Sequence, residues 1–537
     1  MKSDPIGSSP SISPAPGARQ GILARPALVF WALFGIALIA RLVALGEKPL
    51  WLDEVFTLQR SALGVHDLIR DSLSNRHSPL FFLIEHEVMR IGSGAAALRL
   101  VAAVAGALCA ALVFAIGREA GLRTGAVLAG LFAALAPLQV AFGQEARSYT
   151  LMLALILVAL WGLVRMASMP ERASRPWLDR TGLPGAWLAY GLGTAGAVLV
   201  LGDALPWLIA ANVAMLAAVL PRMRRRSPFL VRWFAVQAAI ILLAAPLYLA
   251  IMHEVHERMM GGFLWIPPLT ARFLWADAAS LFGLRDATMV TMRLLPSPIQ
   301  YLAPFALLLG VVGFGVLGKA PGPRAVLAIA AIGLPVVLAL LSLIHPVLLP
   351  RYLLWSAAPF FVVAGAAIEA LPRASRPAAL GIAAVLLAVN LRPYYRAETK
   401  PRWDLAASYL APRMEPSDLL LIADGAASQM LRAYLKKDHA KLHVVATRQA
   451  RRAAAALAAG GRVFAVYGPA GQGRLPNEAA FFAQARTLGV AGARQNIGQE
   501  IAIEEIAPRG NGGLVACGGT EGDQNTNQAG CPPGIKG

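Results

Sequence analysis

Long apolar runs without a single Asp, Glu, Lys or Arg recur along this chain, at 100–117, 124–143, 148–164, 184–202, 204–221, 233–252, 294–318, 325–344 and 352–368. Crossing a bilayer as a helix takes roughly 20 apolar residues, with about 17–25 workable. Two further runs complete the set: 26–45, with Arg41 near one end where it is expected to snorkel to the interface, and the short 377–391. The reading is eleven spans, with 78–91 and 262–275 apolar enough to lie at the interface. Only 15% of the 537 residues are charged, against about 25% in a soluble domain. A soluble, disordered or fibrous chain is excluded.

The formal net charge of +19 suggests a nucleic-acid partner until the charges are located. With the N-terminus inside, the cytoplasmic segments hold eighteen Lys/Arg against five Asp/Glu. On the other side, residues 46–97 hold five against seven, and 253–293 hold four of each. This is the positive-inside asymmetry; it sets the orientation and removes the nucleic-acid reading. An odd number of spans then puts the C-terminus outside.

Residues 1–25, rich in Ser, Pro and Gly, read as a disordered cytoplasmic tail rather than a signal peptide. Residues 26–391 form the membrane domain. Beyond it, DLLLIAD (418–424), LHVVAT (442–447) and RVFAVYG (462–468) alternate with helical patterns near 426–437, 449–459 and 476–488. That alternation predicts a small periplasmic α/β domain over 392–507. Residues 508–537 are Gly-rich and without period, so disorder is expected. Cys517 and Cys531 lie there and either pair in an oxidising compartment or stay free.

The outward side carries two long loops, 46–97 and 253–293, and long structured loops are uncommon without a function. Asp53 and Glu54 follow the first span directly. They read as a general base with a partner or metal ligand, or as solvated acids at a helix N-terminus, where carboxylates are favoured. His77 precedes a Pro turn into an amphipathic interfacial helix. Glu145 and Arg147 stand in the short loop 143–149, as a cavity-facing pair or as an interfacial ion pair of little energetic worth. Arg351 lies at the outer boundary of a later span, where it acts as an anchor or binds phosphate. His253 and His256 are three apart, so one helical face holds both, with Arg258 beside them. Together these place carboxylates, histidines and guanidiniums around one membrane-level cavity. Transfer of a sugar from a lipid phosphate needs that set: a carboxylate to take the acceptor's proton, and cations to meet the leaving phosphate.

The order of these motifs resembles that of the GT-C membrane glycosyltransferases, specifically family 39 and the aminoarabinose-transferase-like group that includes the protein mannosyltransferases. Leu50-Trp51-Leu52-Asp53-Glu54, His77-Ser78-Pro79-Leu80, Gln144-Glu145-Ala146-Arg147-Ser148-Tyr149, Arg351-Tyr352-Leu353-Leu354 and Trp403-Asp404-Leu405-Ala406-Ala407-Ser408-Tyr409-Leu410 carry the likeness, which runs from about 26 to 425. The commoner form of the second motif is His-Pro-Pro. The resemblance implies an all-α polytopic fold with a small C-terminal α/β domain, and an inverting transferase of the inner membrane. Its donor would be a polyprenyl-phosphate sugar and its acceptor an envelope lipid, glycan or protein. By the same resemblance Asp53 is the catalytic base or acceptor-orienting group and Glu54 its partner. His77, Glu145, Arg147, Tyr149, Arg351 and Tyr352 would line the substrate pocket, with His253, His256 and Arg258 on a mobile cover. Metal dependence varies within the group, so a divalent metal stays open and none is assigned. The main rival is a transporter or flippase of lipid-linked sugars. Against it, the clean spans carry no ionisable residues at the midplane, where such proteins place them. A second rival, an assembly protein, leaves the loop motifs without a purpose.

Overall fold

A computed structural model describes residues 25–168, 183–222, 226–254, 268–271, 274–275, 303–435, 443–446, 450–471 and 475–509. The expectations for 1–24, for most of the loop 255–302 (His256 and Arg258 among them) and for 510–537 with both tail cysteines fall outside the described residues.

Every one of the eleven apolar runs carries a helix. Seven unbroken helices among the described residues have the length and composition to cross a membrane. The pair Thr124–Leu135 and Pro137–Gly143, bent by 54°, makes an eighth, while Pro26–Leu42 and Pro184–Val200 are apolar but shorter. Ala303–Val316 occupies part of the run at 294–318. The short run at 377–391 belongs to a helix of 21 residues, Arg376–Arg396, extended by the polar and aromatic Arg392–Arg396. The chain is therefore a multi-pass membrane protein by architecture. Close helix crossing is bought with small residues. A Cβ on Gly125 would stand 2.6 Å from the carbonyl oxygen of Gly365, and one on Gly365 would stand 2.4 Å from that of Gly125.

Arg41 corrects the sequence expectation. It does not snorkel; it is fully buried. Pro137 breaks its helix and releases carbonyls that lipid cannot satisfy. The Arg41 guanidinium donates to Ala134 O at 3.0 Å, Ala133 O at 3.1 Å and Gln139 O at 3.2 Å, and to Ala37 O in its own helix at 2.9 Å. Gly106 and Gly143 make room for it, since a Cβ on either would lie 2.6 Å from Arg41 Nε.

The loop after the first span folds into helices Leu52–Ser61, Val65–Ser74, Leu80–Val88 and Ala95–Leu98. A helix, Leu80–Val88, lies within the run at 78–91. On the same end of the bundle sits the α/β domain, a five-stranded sheet in the order β2-β1-β3-β5-β4. Strands β1 (Leu419–Ile422), β2 (His443–Ala446) and β3 (Val463–Tyr467) are parallel, joined through helices Ala427–Tyr434 and Ala450–Ala458. The antiparallel hairpin β4 (Val490–Ile497) and β5 (Ile501–Ala507) completes the edge, turning at Gly498, whose φ of 60° suits glycine. The domain packs onto the first loop through one apolar cluster that includes Leu50, Leu52, Val55 and Leu98 with Trp403, Met430 and Leu431.

Candidate active site

Helix Leu52–Ser61 starts where the chain leaves the first span, and its first turn holds Asp53 and Glu54. Negative charge is favoured there by the helix dipole, yet the two carboxylates meet opposite surroundings. Glu54 is fully buried and accepts five hydrogen bonds: Oε1 from Arg99 Nε (2.7 Å) and Ala146 N (3.0 Å), Oε2 from Arg99 Nη2 (2.9 Å), Lys400 Nζ (2.7 Å) and Trp51 N (3.2 Å). Burial pushes this carboxyl up, but Arg99 and Lys400 outweigh it and hold it down at about 2. Glu54 is therefore the joint between the first loop, the loop 143–149 and the connector to the α/β domain.

Asp53 faces the other way and keeps 15% of its side chain exposed. Its Oδ2 lies 3.9 Å from Arg147 Nε and 3.8 Å from Arg351 Nη1. These are ion pairs too long for hydrogen bonds; Arg351 Nη2 donates to the Tyr352 hydroxyl at 3.3 Å, and Arg147 Nε is buried without a partner among the described residues. Arg147 is set there by its loop. Ala146 N is pinned by Glu54, Gln144 Nε2 donates to Arg41 O (2.9 Å) and Val43 O (2.6 Å), and Gln144 Oε1 accepts from Tyr394 (2.8 Å). The Arg147 guanidinium stands 5.9 Å from the Tyr149 ring centre, and Tyr149 is buried. Arg351 packs 5.2 Å over the ring of Tyr352. Glu145 is fully buried and neither oxygen finds a protein partner. Burial, reinforced by Glu54 and Asp53 against the pull of Lys400 and Arg147, raises it above the usual carboxylate range.

His77 is aimed by local geometry. Helix Val65–Ser74 ends in a Schellman turn, with His77 N bonded to Ser72 O (2.8 Å) and Arg76 N to Leu73 O (3.0 Å). Arg76 fills the left-handed position, at φ 62°, that glycine usually takes. The His77 ring lies 6.0 Å from that of Phe82. Burial, with Arg147 and Arg60 nearby, lowers His77 to about 3, so its ring is neutral at pH 7.

Arg60 was not singled out in the sequence and belongs to this group. It is 7% exposed, its Nε donates to Asp71 Oδ2 (2.5 Å), it packs 4.6 Å over Phe82, and its Nη1 is buried without a partner. The signal was available: seven residues beyond Asp53 is two helical turns along the same face, about 10 Å. Asp203, in the short turn Gly202–Ala204, lies in the electrostatic field of Arg351 and Arg147 and was also missed. His253 is exposed at the end of helix Arg226–Glu254 and enters none of these contacts. Among the described residues, no three His, Cys, Asp or Glu side chains converge as a metal donor set.

Fold and site together define a polytopic membrane protein with a cluster of carboxylates and guanidiniums at the end of the bundle that carries an α/β cap. The chain is similar to the crystal structure of ArnT from Cupriavidus metallidurans in the apo state, at 14% identity and a TM-score of 0.54, covering 89% of this chain and 98% of that one. It is also similar to ArnT of that organism bound to undecaprenyl phosphate, at 14% identity and a TM-score of 0.51, covering 92% and 99%. No protein-family model and no curated protein matches the sequence. At this identity the likeness is one of fold.

Proposed function

We propose that this protein is an inverting glycosyltransferase that moves a sugar from a polyprenyl-phosphate donor to an envelope acceptor on the periplasmic side of the inner membrane. The observation that carries the reading is the Asp53 carboxylate standing between Arg147 and Arg351, at 3.9 and 3.8 Å, just beyond the spans. The fold shared with an ArnT structure that binds undecaprenyl phosphate supports the donor class, and the long loops on this face, where Lys/Arg do not outnumber Asp/Glu, support its being outside.

In this mechanism the lipid phosphate of the donor draws Arg147 and Arg351 away from Asp53, with the Arg60 guanidinium and the uncharged His77 ring lining the far side of the phosphate. Asp53 then takes the proton of the acceptor hydroxyl as its oxygen bonds to the anomeric carbon. The bond from that carbon to the phosphate oxygen breaks in the same step, and the electron pair leaves with the polyprenyl phosphate, whose charge the guanidiniums meet. No sugar–enzyme bond forms, so the anomeric centre inverts. Glu54 stays outside the chemistry as the group that orients Asp53 and Ala146. Tyr149 and Tyr352 set the planes of the two guanidiniums, and Glu145 supplies a buried polar wall. His253, with His256 and Arg258, would serve as an outer cover over the donor.

Labelled polyprenyl-phosphate sugars and extracted envelope acceptors, supplied to membranes holding wild type or Asp53→Asn at matched expression, test this. Transfer by wild type that is lost in the variant supports it. Equal transfer in both removes Asp53 as the base. Absence of transfer, with lipid-linked sugar crossing the bilayer only when the protein is present, replaces the proposal by a flippase.

A further inference from the structure

The short segment 50–54, which presents Asp53, is held from two sides by different parts of the molecule. From the membrane side, Arg99 donates to both oxygens of Glu54, to Leu45 O and Lys48 O through Nη1 (2.8 and 2.9 Å), and to Pro49 O through Nη2 (2.9 Å). From the cap side, Lys400 Nζ reaches Glu54 Oε2 at 2.7 Å. Tyr434, at the end of a helix of the α/β domain, has its hydroxyl on both backbone groups of Leu50, accepting from the N–H at 2.5 Å and donating to the carbonyl at 3.2 Å. Gly471, following β3, lies so close to Leu52 that an added Cβ would stand 3.2 Å from its Cδ2. Lys400 itself is 4% exposed. A buried ammonium so placed is costly unless its partner is held in place.

The Asp53 side chain, by contrast, has only the long ion pairs described above among the described residues, so its place is set by the backbone on either side of it. The two cap-side residues that hydrogen-bond to the segment, Tyr434 and Lys400, do so three residues before Asp53 and one residue after it. We infer that the α/β domain is part of the catalytic unit: Lys400 and Tyr434 are positioning residues that fix the Asp53 segment against the reacting centre. This goes beyond acceptor recognition as the domain's role, and it rests on the reading of Asp53 as the base. The domain's fold does not explain the arrangement, because neither Lys400 Nζ nor the Tyr434 hydroxyl is spent on the sheet; both are spent on the first loop.

The test uses the full-length protein in lipid nanodiscs, with Lys400→Gln, Lys400→Arg, Tyr434→Phe and Asp53→Asn. Hydrogen exchange of the peptide covering 50–55 is the readout that needs no substrate. In Lys400→Gln and in Tyr434→Phe, exchange at 50–55 is expected to rise about tenfold or more while exchange across β1, β3 and β5 stays at the wild-type level. Transfer should show kcat reduced by about tenfold or more, as displacement of a catalytic group produces, with donor KM within about twofold and substantial rescue in Lys400→Arg. A merely structural role predicts instead that Tm falls while exchange at 50–55 and kcat per folded molecule do not move, or that exchange rises equally over the sheet; either result overturns the inference. Wild-type kcat in Asp53→Asn would defeat the base assignment alone, since the exchange result reports the grip on the segment independently of which group does chemistry.

Discussion

Replacing Glu54 by Gln keeps shape and removes one charge, so it isolates what the carboxylate does. The glutamine has one acceptor where the glutamate has two. Its best placement keeps the oxygen at Oε2, with Lys400, Trp51 N and Arg99 Nη2, and puts the amide nitrogen at Oε1, facing two donors, Arg99 Nε and Ala146 N. Two hydrogen bonds to a charged group are lost, about 1.5–3 kcal/mol each, and Arg99 and Lys400 lose the carboxylate they share. Breaking a buried pair from one side costs about 3–5 kcal/mol, and a loss in that range is expected for this variant. Thermal and denaturant unfolding of the purified full-length protein in detergent measures it. The double variant Glu54→Gln/Lys400→Met should lose less stability than the sum of the two single losses, because removing the second cation relieves the first defect. The pH dependence adds a sign. A carboxyl held at about 2 in the folded protein, against 4.5 ordinarily, contributes stability that is complete above 4.5 and is lost as pH falls through about 2. Wild type should therefore lose stability over that window more steeply than Glu54→Gln. A loss under about 1 kcal/mol at pH 7, with parallel acid profiles, would refute the description of Glu54 as a buried joint.

Gly143→Ala would place a methyl group 2.6 Å from Arg41 Nε and 2.7 Å from its Cδ, displacing the guanidinium from the carbonyls at the Pro137 break. A loss of about 1–3 kcal/mol, as overpacking costs, should appear as a lower Tm in detergent. Arg60→Gln should raise donor KM about tenfold, the worth of one charged hydrogen bond, with a smaller change in kcat, read from transfer at saturating acceptor. Glu85, buried with both oxygens unpartnered and raised to about 8 by burial, holds its proton more tightly folded than unfolded. It should therefore cost stability progressively as pH rises from 4.5 through 8, and Glu85→Gln should flatten that decline in a Tm series from pH 5 to 9.

The membrane architecture was legible because lipid imposes it on the sequence: a backbone that must satisfy its own hydrogen bonds in hydrocarbon has to be helical over each apolar run. β1 and β3 were legible as short apolar runs between turn signals. β4 was not, since it is an edge strand whose residues are exposed from Val490 to Asn496, so no inward face marks it. Arg41 was misread because snorkelling depends on position in the span, whereas its actual partners are carbonyls about ninety residues away. For the same reason Arg99 and Lys400 carry no local signal. Their meaning is a shared carboxylate 45 and 346 residues distant.

Asp53 and Glu54 show most clearly where spacing stops being informative. Adjacent residues on a helix point about 100° apart, so they cannot both face the same cavity, and the sequence does not say which turns inward. The structure decides it through charge. Arg99 and Lys400 are buried and require an anion within reach, and Glu54, as the third residue of the helix, also reaches back to the free Trp51 N–H. Asp53, one atom shorter, would not span that distance while also meeting Lys400. Committing the longer acid to the interior leaves the shorter one at the rim beside Arg147 and Arg351. Exchanging the two, as Asp53→Glu/Glu54→Asp, would therefore be expected to damage both the joint and the rim, although it conserves charge and composition.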